Sequence, residues 1–320
     1  MEIKVPPEFA QARLDAFLHS RWPDFSRSWI QKLIKQGRAT IKGTRALASR
    51  KLKAGDVVSF EPQLPPEISL EPEGHLDDKI KIVFENDDFV VIDKPAGVSA
   101  HPSATEPKGT IVNWLIWKYP SIKSVGDFDP NRCQLSAVSY LRPGLVHRLD
   151  KDTSGLMVIA KNQSTFQQLK KQFQNRLVTK RYLALACGQM PADNGQIDLN
   201  IVRSRSDPTK NTTTNSKNRG RAALTYWRVL KHYPDFSLLE VTPKTGRMHQ
   251  IRVHLKAIGH PVAGDKKYAP APKNPKHLGR MFLHAAYLSF TSAEGEKFSF
   301  HSPLPEELER ALQNLPYVVR

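Results

Sequence analysis

One short stretch of the sequence brings a histidine, an arginine and two carboxylates together beside an apolar segment. Residues 147–152 read HRLDKD, and the apolar run Leu156–Ala160 follows them. Charged residues on a loop next to a strand stand at the edge of a rigid sheet, where functional side chains are often found. Asp150 is therefore a candidate catalytic carboxylate, and His147 and Arg148 are candidate substrate contacts. The same residue types also allow Asp150 to be a turn former and His147 a hydrogen-bonded structural residue.

A second polar run, residues 242–254, reads TPKTGRMHQIRVH. Its Thr245-Gly246 pair predicts a turn followed by a helix, and the first turn of a helix has free N–H groups that can bind an anion. His249 and His254 are five residues apart, rather than the four that would stack two metal ligands on one helical face, and no acidic residue lies near them in the run. We therefore expect no metal here.

The usual motifs of nucleotide-dependent and hydrolytic enzymes are missing. The chain contains no Gly-x-x-x-x-Gly-Lys-Ser/Thr, Gly-x-Gly-x-x-Gly, Gly-x-Ser-x-Gly or His-Glu-x-x-His run. The sequence therefore does not indicate nucleotide hydrolysis, NAD-dependent redox chemistry or serine hydrolase chemistry. Two cysteines, Cys133 and Cys187, cannot form a disulfide framework or a cysteine-based zinc site. We expect a reaction that needs no cofactor.

The overall charge is strongly positive. The 320 residues include 48 Lys and Arg against 31 Asp and Glu, a formal net charge of +17, and a field of this sign indicates a polyanionic partner. The apolar runs are much shorter than the roughly 18 residues that span a bilayer. The first residues, MEIKVPPEFA, lack the apolar segment of a secretory signal. We expect a cytoplasmic protein without a membrane partner, and nothing in the sequence demands more than a monomer.

The positive charge is concentrated near the N-terminus. Between Ser26 and Lys53 there are nine basic residues and no acidic one. Apolar residues at helical spacing predict two helices before Gly37, and the short strands Ala39–Ile41 and Val57–Phe60 follow. A charge run is often only a solvated surface, but nine bases without an acid favour nucleic-acid binding. The candidate contacts on and just after the second helix are Arg27, Lys32, Lys35 and Arg38.

An acidic, proline-rich stretch follows this basic one. Residues 61–78 contain six acidic residues, four prolines and no Lys or Arg. Proline fixes φ and removes a hydrogen-bond donor, so the stretch is typical of an extended linker. The sequence therefore predicts a small unit over residues 1–60, a linker over 61–79 and a larger domain over 80–320. The alternative is an irregular loop within one domain.

The pattern changes to strands after residue 80. There is no internal repeat and no regular alternation of strands and helices, so we predict an α+β fold with a mixed, largely antiparallel sheet flanked by helices. Residues 203–221 are polar and rich in bases, which predicts a flexible surface loop on the binding side. The predicted strands are Lys81–Glu85, Phe89–Asp93, Gly144–His147, Leu156–Lys161, Tyr182–Gly188, Ala223–Leu230 and Phe236–Thr242, and the predicted helices are Val112–Lys118, Ser164–Asn175, Gln250–Ile258 and Pro305–Asn314.

The motifs taken together resemble those of the RluA-type pseudouridine synthases, which modify uridines mainly in large-subunit ribosomal RNA. The run HRLDKDTSG, from His147 to Gly155, resembles the signature of that family, and four further motifs keep the family's order. The resemblance covers about residues 80–315, and the N-terminal unit is similar to the small alpha-L RNA-binding module that many members carry. The four motifs are Lys94–Gly97 with His101-Pro102, Lys180–Tyr182, Gly246–His254 and His260–Asp265.

The resemblance implies a role for each of several residues. Asp150 would be the catalytic carboxylate of a cofactor-free isomerisation, and Arg252 would pair with it. Arg247 is a weaker candidate for that pairing and a candidate phosphate contact. Tyr182 matches the active-site tyrosine whose ring stacks on uracil, although a core tyrosine on a strand is the plainer alternative. The nucleotide would have to be extruded from its helix, and Arg148 resembles the residue that fills the vacated space.

The chemistry implied by the resemblance requires an ionised carboxylate. Burial alone would raise the pKa of an aspartate, and a guanidinium within about 4–6 Å would lower it by roughly 1–3 units. Whether Asp150 attacks the sugar, attacks the base or removes a sugar proton stays open at this point.

Two features depart from the family pattern. Met248 occupies a position that is usually Thr, and the segment 120–142 is longer than in close relatives, which could change the RNA that is accepted. Large-subunit ribosomal RNA is the favoured substrate and transfer RNA the alternative. Two other hypotheses stay open. One is a non-catalytic RNA-binding ribosome-assembly factor, which would not need Asp150, Tyr182 and Arg252 together. The other is a metal-dependent nuclease, for which the sequence lacks a carboxylate cluster.

Overall fold

The structure is a computed structural model that describes residues 1–23, 25, 27–63, 70–103, 106–129, 134–135, 142–204, 207, 210–269, 275 and 278–316. The chain divides into two compact units, Met1–Ile68 and Ser69–Arg320. The linker over 61–79 and the boundaries beside it stay a prediction, and residues 64–69 of that linker lie outside the described part. Within the long segment 120–142, residues 130–133 and 136–141 also lie outside the described part. In the described ranges no helix is long and apolar enough to cross a membrane.

The first unit combines two helices with a four-stranded antiparallel sheet. Apolar residues of both helices, among them Phe17 and Ile30, are fully buried against the sheet residues Val58 and Phe60. Gly37 follows the second helix with a φ of +82°, a conformation that favours glycine. The predicted helices and strands of this unit are confirmed. Its helices are α1 (Leu14–Arg21) and α2 (Arg27–Lys35), and its strands, in the order β1-β4-β2-β3, are β1 (Glu2–Lys4), β2 (Ala39–Ile41), β3 (Thr44–Arg45) and β4 (Val57–Phe60).

Several bases of the N-terminal run have carboxylate partners that lie outside the run in the sequence. Arg27 donates to the fully buried Asp15 at 3.1 Å. Arg38 and Lys42 pair with Glu61 and Asp56 at 3.3 and 3.2 Å. The run is therefore less unbalanced in space than in the sequence.

Burial alone would raise the pKa of Asp15, but hydrogen bonds from Arg13, Arg27 and Gln31 outweigh it and lower that pKa. Lys32 and Lys35 are exposed, and neither has a carboxylate within ion-pair distance in the described ranges. Lys32 lies over the Trp29 ring, with its Nζ 4.9 Å from the ring centroid, and the charges of both lysines face solvent.

The second unit is built on a nine-stranded mixed sheet. The strand order is β11-β14-β15-β10-β16-β9-β6-β5, with β17 paired to β16. The β9–β16 pair is parallel and the other pairs of this sheet are antiparallel, so the predicted α+β class with a mixed, largely antiparallel sheet is confirmed. The strands are β5 (Lys81–Glu85), β6 (Phe89–Lys94), β9 (Ser154–Ala160), β10 (Thr179–Cys187), β11 (Asn194–Asp198), β14 (Leu224–His232), β15 (Phe236–Pro243), β16 (Leu283–Thr291) and β17 (Lys297–His301).

Within the described residues, two small hairpins and four α-helices complete this unit, with a short 3-10 helix at Pro120–Ser124. The helices lie against the sheet through apolar residues such as Trp114, Phe166, Ile251 and Leu308, which are buried in three adjoining cores. The hairpins pair β7 (Phe128–Asp129) with β8 (Gln134–Leu135) and β12 (Asn200–Arg203) with β13 (Asn211–Thr214). The helices are α3 (Ile111–Lys118), α4 (Gln163–Gln174), α5 (Gln250–Ala257) and α6 (Glu306–Gln313), all at predicted positions.

One predicted strand is wrong. Residues 144–147 make only one isolated bridge, between Leu145 and Ile159. Gly144 has a φ of +69°, and the His147 ring, rather than its backbone, accepts the Val158 N–H at 3.0 Å. Strand β16 pairs with only the first two residues of β9. Along the remainder of β9, the edge that faces away from β6 is bordered by this irregular loop instead of a strand.

Three strands of the nine-stranded sheet were missed, as were the short strands of the two hairpins and β1 and β3 of the first unit, and part of a predicted loop is ordered. Strands β11, β16 and β17 were not predicted. Within 203–221, predicted as a flexible loop, Asn211–Thr214 forms β13. The central strand β16 carries His284 and two alanines where β-branched residues would have indicated a strand.

Gly155 lies where β9 approaches the backbone of β16 closely. It has a φ of +114°, and a Cβ atom at this position would lie 2.4 Å from the Ala285 carbonyl oxygen. We expect Gly155→Ala to lower the free energy of unfolding of this unit by about 3 kcal/mol or more, because it adds a backbone clash to an unfavourable φ. Gly295→Ala is the control, since Gly295 has a φ of +86° and open space around it, and it should cost about 1 kcal/mol. Hydrogen exchange of the β9 and β16 amides measures both variants, and equal effects would contradict the clash.

Candidate active site

A cavity of about 700 Å³ opens over the loop that precedes β9. Its walls come from this loop, from α4 and β10, and from the segment that joins β15 to α5. Asp150 and Tyr182 both line it, together with the cations Lys180 and Arg247. The cavity wall thus brings together side chains from three of the five motifs quoted from the sequence, and Arg252, of the same motif as Arg247, reaches Asp150 from α5.

Two cations, Lys94 and Arg280, hold the backbone that directly follows Asp150. The Lys94 ammonium, fully buried, donates to the Lys151 carbonyl at 3.1 Å and to the carbonyls of Pro95 and Val98 at 2.7 and 2.9 Å. Burial lowers the pKa of Lys94 to about 7, against the opposing charge of Asp150. Since these carbonyls satisfy its three N–H donors, Lys94 fixes the loop without contacting the cavity.

Arg280 holds the next residues of the same loop. Its guanidinium donates to the Asp152 carbonyl at 3.4 Å and to the Ser154 hydroxyl at 2.9 Å. Glu307 of α6 accepts from its Nε at 3.0 Å. The backbone around Asp150 is therefore tied to β6 on one side and to the segment before β16 on the other.

Arg252 joins Asp150 to a second aspartate. Its Nη1 donates to Asp150 Oδ2 at 2.9 Å, while Nε and Nη2 form a bidentate pair with Asp265 at 2.7 and 2.8 Å. Asp265 also accepts the backbone N–H groups of Lys267 and Tyr268 at 2.9 and 3.1 Å. The contacts with Asp265 therefore fix the Arg252 guanidinium, and its Nη1 is left to donate to Asp150.

The electrostatics of this cluster favour charged groups throughout. Burial alone would lower the pKa of Arg252, but the hydrogen bonds and charges of Asp265 and Asp150 raise it. Burial would likewise raise the pKa of Asp265, and Arg252 holds it below its usual range. The Asp150 side chain is 17% exposed, and its Oδ1 has no hydrogen-bond partner in the described ranges. One carboxylate oxygen is thus fixed and the other is available to a bound molecule.

Tyr182 lies on β10 at a register shift between Arg181 and Tyr182. Burial and the charge of Asp150 raise the pKa of its phenol, so the hydroxyl is neutral at physiological pH and can donate a proton in a hydrogen bond. Its position on the cavity wall distinguishes it from a tyrosine enclosed in the core. The ring and the hydroxyl are both available to a planar ligand.

The two histidines of the second polar run have different surroundings. His249 Nε2 lies 3.9 Å from Asp150 Oδ2, and its Nδ1 is 2.8 Å from the Tyr268 hydroxyl. Burial lowers the pKa of His249 to about 4, so the ring is neutral. His254 is fully buried between Thr225 and the Leu199 carbonyl. The described residues contain no group of three or more His, Cys, Asp or Glu side chains that could hold a metal ion.

The remaining predicted contacts of this unit occupy the cavity wall. His147 stacks on Phe173 with ring centroids 4.6 Å apart, and burial lowers its pKa to about 3. Arg247 donates to the Ala222 carbonyl at 3.1 Å, and its backbone N–H donates to Gln250 Oε1 at 3.0 Å rather than to an anion. Arg148 is exposed beside Asp150. Arg27, Lys32, Lys35 and Arg38 belong to the first unit.

Sequence reasoning assigned no role to three residues of this site. Asp265 was part of a quoted motif, but nothing in its local pattern indicated that it binds Arg252, 13 residues away. Tyr268 follows it and contacts His249. The Asn211 N–H donates to the Tyr268 hydroxyl at 2.8 Å, and the Asn211 amide donates to the Met248 carbonyl at 2.7 Å. The only sequence signal was the basic, polar composition around Asn211.

Comparisons with known proteins identify relatives over nearly the whole chain. The family model of RNA pseudouridylate synthases matches residues 88–257. An RNA pseudouridine synthase of Aquifex aeolicus is 40% identical, over 96% of this chain and 94% of its own. Ribosomal large subunit pseudouridine synthase D of Escherichia coli O157:H7 is 34% identical, over 94% and 90%. The solved structure of human RNA Pseudouridylate Synthase Domain Containing 1 superimposes with a TM-score of 0.56 at 27% identity, covering 79% of this chain and 90% of that one.

The fold and the site define an RNA-modifying isomerase, in which a carboxylate and a tyrosine face one cavity. The chain belongs to the RNA pseudouridine synthase family, and within it to the RluA type. The family resemblance stated from the motifs is confirmed.

Replacing Arg252 by lysine tests the link between the two aspartates. Lysine keeps the charge but cannot form a bidentate pair with Asp265 and reach Asp150 at the same time. We expect kcat for pseudouridine formation to fall about a hundredfold, because a misplaced catalytic group costs about that much. KM for RNA should change less than about threefold, since the net charge is kept. Arg247→Lys, in the same motif, is the control. Equal losses in kcat and in RNA affinity would contradict a positioning role for Arg252.

Proposed function

We propose that this chain converts uridines of large-subunit ribosomal RNA to pseudouridine, with Asp150 as the catalytic carboxylate. The observation that carries the proposal is the bridge from Asp150 through Arg252 to Asp265 at a cavity that Tyr182 also lines. Two relatives that match nearly the full length bear the name ribosomal large subunit pseudouridine synthase D. That name supports ribosomal RNA over transfer RNA.

The reaction places clear demands on the site. The bond between uracil N1 and ribose C1′ breaks, the base rotates, and a bond from C5 to C1′ forms. The C5 proton is lost and N1 gains one, so no oxidant, reductant or energy source is consumed. The free Oδ1 of Asp150 is the nucleophile or base for this sequence, and the neutral Tyr182 hydroxyl is near enough to the same space to assist proton movement at the base.

The target nucleotide has to leave its helix to reach Asp150, since a paired base cannot enter a cavity. Extrusion costs a few kcal/mol and is least costly in loops and bulges. The Tyr182 ring offers a stacking surface for the extruded base, which is worth about 1–3 kcal/mol in single-strand binding sites. Exposed cations at the cavity and the solvent-facing lysines of α2 supply phosphate contacts.

We further propose that the protein acts in the cytoplasm as a monomer. The free thiol of Cys187 agrees with a reducing compartment.

A pseudouridine map of treated RNA tests the reaction, the carboxylate and the substrate together. Protein-free large-subunit RNA and total transfer RNA are each incubated with the protein or with Asp150→Asn, without added metal or nucleotide. We expect new pseudouridine in the ribosomal RNA with the wild type and at least about 10⁴-fold slower formation with the variant, since the reaction has no substitute for the carboxylate.

The other outcomes are equally informative. Modification confined to transfer RNA would transfer the proposal to that substrate. Normal modification by Asp150→Asn would refute the role of Asp150. Binding without modification in either RNA would favour a non-catalytic RNA-binding factor.

Lys180 makes the RNA affinity dependent on pH. It lies on the cavity wall, and burial lowers its pKa to about 8. His147, whose pKa is about 3, faces it and stays neutral. RNA phosphates favour the charged ammonium, so binding requires the proton and weakens as pH rises through the pKa of the free protein. We expect affinity to fall by up to about tenfold between pH 8 and 9, the limit for one coupled proton.

The matched control for this prediction is Lys180→Arg, which stays charged over the whole range and should give a flatter profile. Lys94, with a pKa of about 7, titrates in both proteins, so the difference between the two profiles isolates Lys180. Fluorescence anisotropy with a labelled single-stranded RNA measures both. Parallel profiles would exclude a phosphate contact by Lys180.

A further inference from the structure

His101 accepts hydrogen bonds from two arginines at the same nitrogen. Its Nε2 lies 2.9 Å from Arg142 Nη2 and 3.3 Å from Arg148 Nη1. Arg142 and Arg148 stand on either side of the Gly144 turn, in the loop that carries Asp150. The motif that contains His101 has no part in the chemistry derived above.

This arrangement requires a neutral histidine. Burial, with the charges of Arg148 and Arg142, lowers the pKa of His101 to about 3. The two guanidiniums occupy the Nε2 lone pair, so the ring proton resides on Nδ1. Nδ1 is buried and has no hydrogen-bond partner in the described part of the chain. His101 therefore acts as an acceptor that holds two cations close together.

Neither arginine has a carboxylate partner within the described ranges. Arg252 and Arg280, which also lie around the Asp150 loop, are by contrast paired, Arg252 with two aspartates and Arg280 with Glu307. The nearest acidic residue in the His101 segment, Glu106, is already bound to Lys151 and Ser99. Proximity to Arg148, in addition to burial, lowers the pKa of Arg142. Two positive charges are thus held together, and no carboxylate of the described residues compensates them.

We propose that Arg142 and Arg148, held together by His101, bind one phosphate group of the RNA strand beside the nucleotide that enters the cavity. A guanidinium has five N–H donors in a planar fork that suits phosphate oxygens. Each arginine uses one donor on His101 and keeps others for the ligand. Arg148 lines the cavity and lies two residues before Asp150, so the bound phosphate belongs to the target nucleotide or its neighbour. The inference rests on the proposed function for the identity of that nucleotide.

The site is tested by the salt dependence of RNA binding to the full chain. The probe is a labelled single-stranded 20-nucleotide RNA of mixed sequence, with anisotropy measured at several KCl concentrations. We expect Arg142→Gln to weaken binding about five- to tenfold and to reduce the slope of log Kd against log salt by about 0.7, the value for one phosphate contact on a single strand. Arg310→Gln is the matched control, because Arg310 is an exposed arginine paired with Glu306 on α6. It should leave both quantities unchanged. Equal effects of the two variants would overturn the proposal.

Two His101 variants test the positioning role. His101→Leu removes the acceptor and should weaken binding at least threefold. His101→Gln keeps a side-chain oxygen that can accept from an arginine, so it should restore binding to within about twofold of the wild type. Unchanged binding by folded His101→Leu, or equal losses in both variants, would overturn the role of His101.

The binding assay tests the phosphate site independently of the test for pseudouridine formation. If wild-type protein makes no pseudouridine in any RNA tested, the proposed function falls, while the difference between Arg142→Gln and Arg310→Gln still decides whether the phosphate site exists. If the arginines instead only fill the space of an extruded nucleotide, Arg142→Gln will bind single-stranded RNA like the wild type, which overturns the phosphate site.

Discussion

Arg252 is placed between Asp150 and Asp265, and its guanidinium donates to both carboxylates. Burying any one of these three charges alone would be costly, and burial is tolerated only because each is paired and hydrogen-bonded. Asp265 is held by backbone N–H groups, Arg252 by Asp265, and Asp150 by Arg252. The position of the candidate catalytic oxygen therefore depends on a chain of contacts that begins 115 residues later in the sequence, at Asp265.

The position of Asp150 also depends on the contacts that hold its backbone. Lys94 and Arg280 bind the carbonyls of Lys151 and Asp152, and Gly155 allows the backbone of β9 to pack against Ala285. A rigid attachment of this kind limits the freedom of the carboxylate before substrate binds, which is how positioning contributes to catalysis. The parallel pairing of β9 with β16 is confined to two residues. The central strands of the sheet therefore support the site, and the site itself stays open on one side.

Local pattern predicted most elements, because amphipathic spacing is a local property, whereas the candidate site residues came mainly from the family resemblance of the motifs. It failed where a long-range contact decides the outcome. Residues 144–147 look like a strand, yet the side chain of His147 takes the Val158 N–H that a paired strand would have bonded. Strand β16 looks weak because it carries His284 and two alanines in place of β-branched residues. The pairing of Arg252 with Asp265 and the contact of His101 with two arginines can be seen only in the folded chain, because these residues are far apart in the sequence.

An enzyme that uses an ionised carboxylate on RNA faces an electrostatic conflict, because its own negative charge repels the phosphates of the substrate. Asp150, Arg252 and Asp265 together carry one net negative charge. Of the residues that line the cavity, six are Lys or Arg and only Asp150 is acidic. Cations such as Lys180 and Arg148 that lack a carboxylate partner in the described ranges offset the charge of the site at the point where phosphates must approach. The high positive charge of the chain is thus partly a requirement of the carboxylate itself, in addition to a means of attracting RNA from solution.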